Sequence, residues 1–411
     1  MISNEPADGA DLRAAKGAAR AEFTRSIVGT TMTVYRLSLS LVILMLEGSN
    51  AWAQSSVTLY GTLDDAVAYY NNVGGHSLIQ MQGGGQEDNK WGLKGAEDLG
   101  GGMKAVFALE NGFVINNGTL DQDGREFGRQ AYVGLSSEAF GTLTLGRQND
   151  PTVDLVQPIT ADGYGAAFST PGDADNNDNS LWVNNAVKYL SPSYAGFQYE
   201  LLYGFGGVPG STTSGQTYSA AVSFTNGGFS AAGGYFFAKN DRGGAGSSDP
   251  TADNSVTPLS GATAFVGSRQ IVQAGVQYVL GDFTANARYS NAQFKPYLNF
   301  GAFNRTETFN IGATSLGWQA TPALLLAVGY TYMRSSGNAS ATYNSGAATA
   351  QYGLSKRTNF YATVGYTHAS GTSFSTDGST LVPAGGAVSD LAPTSGTPTQ
   401  VAVMLGIVHK F

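Results

Sequence analysis

The chain has 411 residues, 42% of them apolar, 11% aromatic and 13% charged, with 56 glycines and no cysteine. A net charge of −8 leaves no basic patch for a phosphate backbone, so nucleic acid is excluded as a partner; the missing cysteines exclude a disulfide framework and thiol–metal sites, and aperiodic glycine with little proline excludes collagen. Low charge and many aromatics without a long apolar run suit a surface that meets lipid through alternate residues only.

In chain order, Met1–Thr31 is an Ala/Arg-rich upstream extension unlike anything later, and Met32 offers a second start. Met32–Ala53 then reads as a signal peptide. Arg36 supplies the positive n-region, Leu37–Leu46 the apolar core, and Ala51-Trp52-Ala53 the small residues that a signal peptidase reads. That core is half the ~20 residues a membrane helix needs. The mature chain is expected to begin at Gln54, and 54–411 forms one domain. Residues 1–53 carry equal numbers of acidic and basic groups, so the mature charge stays −8.

From Ser56 onward the hydrophobic period is two, the period of a strand. Val57, Leu59, Gly61 and Leu63 alternate with Thr58, Tyr60, Thr62 and Asp64. Trp91, Leu93 and Gly95 oppose Lys90, Gly92 and Lys94, and Met103, Ala105, Phe107 and Leu109 oppose Lys104, Val106, Ala108 and Glu110. Phe197, Tyr199, Leu201 and Tyr203 oppose Gln198, Glu200 and Leu202; Phe283, Ala285, Ala287 and Tyr289 oppose Thr284, Asn286, Arg288 and Ser290. Leu324–Tyr332, Phe360–Tyr366 and Val401–Phe411 repeat the pattern.

The connections alternate in length. Short ones fall at Asp98–Gly102, Ser137–Phe140, Pro192–Gly196, Asn226–Gly228, Leu280–Asp282, Ala320–Pro322 and Ser355–Thr358. Long polar ones fall at Asn71–Gly85, Asn116–Gly124, Asn149–Leu181, Gly206–Gly215, Asn240–Gly267, Ser335–Ala350 and Ser370–Pro398. Short periplasmic turns alternating with long outer loops mark an all-β transmembrane antiparallel barrel, and seven turns plus closure of the ends predict about sixteen strands. A soluble sandwich explains neither the alternating loop lengths nor the aromatics at strand ends. The 33-residue stretch Asn149–Leu181 lacks a helical or strand period and is too long for a mere connection. It is expected to fold into the bore and narrow an aqueous channel.

Five stretches resemble the general bacterial porins, trimeric sixteen-stranded diffusion channels of the Gram-negative outer membrane. QSSVTLYGTLDD (Gln54–Asp65) resembles the family's first strand and NKWGLKGAEDLGGGMKAVFALENGF (Asn89–Phe113) its second hairpin. GRQAYVGLSSEAFGTLTLGRQ (Gly128–Gln148) resembles strands four and five, while YGLSKRTNFYATVGY (Tyr352–Tyr366) and GIVHKF (Gly406–Phe411) resemble the end. The resemblance implies passive diffusion of small hydrophilic solutes and ions, a homotrimer, contact with outer-membrane lipid and lipopolysaccharide, and no cofactor. Phe411, with His409 where such barrels often have Tyr, is similar to the signal read by the barrel-assembly machinery.

The resemblance also implies a constriction, where acids of the third outer loop face basic groups of the wall. Asp154 matches a family loop carboxylate. Asp162 stands where a second is expected, although Tyr164-Gly165 follows in place of the family's Pro-Glu-Phe-Gly-Gly element. On the wall Lys90 and Arg129 match family arginines, whereas Thr62 and Trp182–Val183 replace basic positions. Lys104, Glu110 and Lys188 fall on lumen phases. A thin basic cluster and a charge of −8 predict weak cation preference. Arg147 shares phase with the apolar Leu143 and Leu145, so it is expected to face outward and meet Asp121 or Asp123 from a neighbouring subunit.

Other classes fit less well. DADNNDN (Asp173–Asn179) has the acid spacing of a calcium loop, but the EF-hand's sixth and twelfth positions are Asp178 and Asn184, so a flexible polar segment is expected there. His76, His368 and His409 are far apart, and no nucleophile elbow or phosphate loop is present, so an enzyme is not expected. A solute-specific channel, hinted at by Tyr164 and Phe168, and an adhesin or receptor acting through the outer loops remain as alternatives.

Overall fold

A computed structural model of the chain describes residues 55–160, 162–239, 266–297, 301–375, 378–389, 391 and 395–411. The extension, the signal peptide and most of the Asn240–Gly267 loop therefore lie outside the described residues. The strands are β1 (Ser56–Val73), β2 (His76–Gly83), β3 (Lys90–Gly100), β4 (Met103–Gly112), β5 (Gln130–Ser137), β6 (Gly141–Gln148), β7 (Val183–Leu190), β8 (Phe197–Gly204) and β9 (Thr217–Asn226). They continue as β10 (Phe229–Lys239), β11 (Val266–Leu280), β12 (Phe283–Pro296), β13 (Glu307–Thr321), β14 (Leu324–Ser336), β15 (Ser340–Gly353), β16 (Thr358–Phe374), β17 (Leu381–Pro383) and β18 (Thr399–Lys410).

All pairings are antiparallel and the sheet closes on itself through β1 and β18, with Thr62 opposite Lys410 and Tyr70 opposite Ala402. The inner half of β1 pairs with β3 and its outer half with β2, so β2 and β3 form one barrel strand interrupted at residues 84–89. Segment β17 only extends the outer end of β16. What remains is a closed barrel of sixteen strands, as the connections predict. Closure removes every sheet edge, and that lets strands span a hydrocarbon layer with all backbone groups bonded.

Alternation sorts side chains between lipid and lumen. Along β16, Phe360, Val364 and Tyr366 are exposed outside while Tyr361, Thr363 and Thr367 are buried inside. The exposed belt continues in Val403, Leu405 and Ile407 of β18 and in Phe283 and Tyr289 of β12. The chain end is tied into the ladder, since Phe411 N–H donates to Gly61 O at 3.0 Å and Gly61 N–H donates to Phe411 O at 3.1 Å. His409 lies on the same rim, its Nδ1 2.9 Å from the Thr358 hydroxyl.

Two expected loops are not loops. Asn71–Gly85 is instead the end of β1, a tight turn at Gly74-Gly75 and all of β2. Both glycines have positive φ (59° and 93°), which a two-residue hairpin turn demands and a β-carbon resists. Ser335–Ala350 shrinks to residues 337–339, because β15 begins at Ser340. Its outward residues Thr342, Asn344, Gly346 and Ala348 are too small or polar to carry a hydrophobic period. Opposite them stand Tyr330 and Tyr332, and the Tyr330 hydroxyl donates to Asn344 Oδ1 at 2.7 Å.

Candidate functional site

The segment 149–182 lies inside the barrel. It starts with the five-residue helix Pro151–Leu155, capped by Asp150, whose Oδ1 accepts from Thr152 N–H at 2.7 Å. Burial pushes the Asp150 carboxyl above its usual range, against the opposing pull of its Thr152 and Asn176 hydrogen bonds. Short 3-10 turns follow at Gln157–Ile159, Asp162–Tyr164, Ala166–Phe168 and Pro171–Asp173. The loop reaches the far wall, where Asn286 Nδ2 donates to Ile159 O at 2.8 Å. Arg288 bridges Asp175 Oδ2 at 2.6 Å and the Thr170 hydroxyl at 2.7 Å, with both members of the ion pair buried.

The DADNNDN segment is correspondingly a built turn and not a flexible stretch. Asp173 accepts from Asp178 N–H at 2.9 Å and from the Ser180 hydroxyl, and Asn176 Oδ1 accepts from Leu181 N–H at 3.0 Å. Asp173, Asn176 and Asn179 hold positive φ, which short polar side chains tolerate best.

The loop packs against the wall from β8 round to β16 and leaves an aqueous path along β3–β5. That path is a cavity of about 420 Å³ lined by Lys90, Glu110, Arg129 and Asp154, together with Glu87, Asp88 and Asp178. It adjoins a vestibule of about 330 Å³, which shares Asp88, Arg129 and Asp178 and adds Asp121 and Asp123. Four of the expected constriction and lumen groups therefore meet at one place. Arg129 is buried between two acids, 2.8 Å from Glu110 and 2.9 Å from Asp88. Lys188 bridges Asp154 at the foot of the loop and Glu200 on the wall, the latter at 3.3 Å. Lys90 has no carboxylate in ion-pair range among the described residues. Lys104 sits exposed next to the short turn that joins β3 and β4, away from this cluster.

Three expectations need correcting or narrowing. Tyr164 does not line the path: it is buried, packs on Phe168 with ring centroids 5.5 Å apart, and presses against Gly317 of β13, where a β-carbon would collide with its ring. It anchors the loop to the wall. Asp162 belongs to the turn beside it, and its side chain lies outside the described residues. Arg147 is not an exposed charge awaiting a neighbouring subunit: it is buried. The β6–β7 ladder shifts register beside it, with one extra residue on β7 (Gly146 opposite Ala186, Gln148 opposite Val183) and Asn185 at φ 50°, while β6 stays in register with β5, Arg147 opposite Ala131. Arg147 is buried by its hydrogen bonds, Nε donating to Gly128 O and Nη1 to Asn184 Oδ1, both at 2.6 Å. Its charge thus finds acceptors within its own chain. Asp123 pairs with Arg125 at 3.2 Å, and Asp121 accepts from Gln122 at 2.8 Å.

Several groups were invisible to periodicity. Trp182 stands where a basic residue is expected, and the guanidinium groups of Arg129 and Arg147 lie 5.1 and 5.7 Å from its ring centroid. Asp88 reaches the path because residues 84–89 leave the sheet. Asp64 holds that insertion, its Oδ2 accepting from Gln86 N–H at 2.6 Å and Glu87 N–H at 2.7 Å, while Tyr361 donates to Oδ1 at 2.7 Å. Arg288 and Glu200 had the one available signal, a charged residue on the polar phase of a strand.

Together, the closed sheet with its inward loop and charged bore defines a transmembrane β-barrel with a constricted lumen. The family model for Gram-negative porins matches residues 40–372, and the chain belongs to that family. It is 41% identical over 170 residues to an outer membrane porin protein of Bordetella pertussis (strain Tohama I), covering 38% of this chain and 44% of that one. The match thus spans less than half of that relative's length. Against the major outer membrane protein P.IB of Neisseria gonorrhoeae it is 29% identical over 347 residues, 80% of this chain and 92% of the relative. The solved structure of an anion-selective porin from Comamonas acidovorans superposes with a TM-score of 0.67 at 24% identity, over 87% of this chain and all of the other.

Proposed function

We propose that this chain, exported by a signal peptide cleaved before Gln54, is an outer-membrane porin. It carries small hydrophilic solutes and ions by passive diffusion through a constriction with weak cation preference. The observation that supports the sign is the charge of the path. Seven carboxylates (Glu87, Asp88, Glu110, Asp121, Asp123, Asp154 and Asp178) line the two adjoining cavities against Lys90 and Arg129 alone. Adding Arg125, Lys188 and Lys410, which pair with Asp123, Asp154 and Glu87, brings the cations to five against these seven acids. Fields of this kind act strongly in a bore with low-dielectric walls. The anion selectivity of the Comamonas porin belongs to that protein, and at 24% identity it carries over only as fold.

The homotrimer, the outer-leaflet setting among lipid and lipopolysaccharide, and recognition of Phe411 and His409 by the barrel-assembly machinery complete this reading. A solute-specific channel is the poorer reading, since Tyr164 and Phe168 pack on wall glycines Gly317 and Gly329 and offer no aromatic track. Planar-bilayer recording across a salt gradient tests the proposal. The expected result is stepwise openings in groups of three with a modest cation-leaning reversal potential. An anion-leaning potential would overturn the selectivity, and absence of conductance from folded protein would overturn the channel.

A further inference from the structure

The outer face of β9–β12 carries two dents, one above the other, that the bore does not explain. The upper lies at the outer rim and measures about 670 Å³; Lys239, Lys295, Gln270, Gln293, Tyr218 and Tyr297 line it. Register places its cations in one row across three strands, because Ser268 pairs with Lys239 on one side and Lys295 on the other. Both lysines are exposed, and among the described residues neither has a carboxylate in ion-pair range. The row beneath is Tyr218, Phe237, Gln270 and Gln293, an aromatic pair stacked at 4.9 Å beside two amides.

The lower dent, about 620 Å³, is almost wholly apolar and lined by Val222, Phe224, Ala231, Gly233, Ala274 and Val276. It starts six residues below the lysine row, since Gly233 pairs with Ala274 where Lys239 pairs with Ser268. Six residues span roughly 20 Å of strand. At a tilt of about 45° this is close to 15 Å of depth, about half of a ~30 Å hydrocarbon core and so one leaflet. A cationic, hydrogen-bonding dent at headgroup level above an apolar dent near the midplane matches a lipid with an anionic head.

We propose that this face binds one phosphorylated outer-leaflet lipid per barrel, its phosphate at Lys239 and Lys295 and an acyl chain in the dent below. The inference rests on the outer-membrane reading above, and its charge complementarity selects an anionic over a zwitterionic lipid.

Native mass spectrometry of the full chain refolded in detergent and titrated with diphosphoryl lipid A tests it. One saturable adduct per barrel is expected, weakened on the order of ten- to thirtyfold in the double variant Lys239→Gln/Lys295→Gln, from about 1 kcal/mol per lysine near a charged lipid surface. Ala274→Trp, which fills the lower dent, should weaken the adduct as well. Millimolar inorganic phosphate should not displace the lipid, and phosphatidylethanolamine should not reproduce the adduct. An unchanged affinity in the double variant would overturn the proposal. Full displacement by phosphate would reduce the site to a free-anion site and overturn it too. Bilayer conductance of the double variant should equal wild type, so failure here leaves the channel reading intact, and loss of conductance in wild type leaves the lipid test standing.

Discussion

Lys90 and Arg147 are both basic residues beside the bore, and their surroundings give them different work. Lys90 lines the cavity without an ion-pair partner among the described residues, so in the proposed channel its field reaches passing ions. Lys90→Glu changes the local charge by two, worth on the order of 0.5–1 kcal/mol in a water-filled bore. The cation-to-anion permeability ratio should rise about two- to fivefold, read from the reversal potential; an unchanged ratio would show that Lys90 is screened. Arg147 instead closes hydrogen bonds at the root of the loop. Arg147→Met strands the Gly128 carbonyl and the Asn184 amide, and leaving buried groups unpaired costs about 1–3 kcal/mol each. Heat stability of the folded barrel on semi-native gels should fall, with ion selectivity little changed.

The inward loop is held at both ends by opposite charges. Lys188 pins its foot through Asp154, and Arg288 pins its far side through Asp175. The second pair is the more buried, and removing one partner of a buried pair leaves the other charged and uncompensated, a loss of about 3–5 kcal/mol. Arg288→Met or Asp175→Asn alone should therefore produce noisy openings and closure at lower voltage. The double variant should be quieter than either single one, because neither charge is stranded. If all three behave alike in single-channel recordings, the loop is held by its other contacts, such as Tyr164 against Gly317 and Asn286 on Ile159 O.

For the whole barrel, the proposed selectivity rests on the sum of the charges along the path and not on any one contact. Such a field is screened by salt: the Debye length falls from about 10 Å at 0.1 M to about 3 Å at 1 M. The proposed cation preference should accordingly decline towards that of free solution between those concentrations, while conductance keeps rising. A preference independent of salt would point to a discrete binding step in the path.

The barrel itself was legible from residues alone. A two-residue period, alternating short and long connections and a 33-residue gap led to sixteen strands and an inward loop, because lipid on one face and water on the other impose that alternation on every spanning strand. Where a strand carries small or polar outward residues, as β15 does, the signal fades, and only pairing with neighbours reveals it. Lys90, Arg129, Asp154 and Glu110 could be placed near one another by resemblance and phase. Contacts outside the ladder decided the rest. Acceptors at Gly128 and Asn184 buried Arg147, the insertion 84–89 brought Asp88 to the path, and the loop's own fold sent Tyr164 to the wall and Asp175 to Arg288. Sequence determines phase as long as the ladder is regular; a single extra residue reverses it, and only tertiary contacts specify where that residue sits.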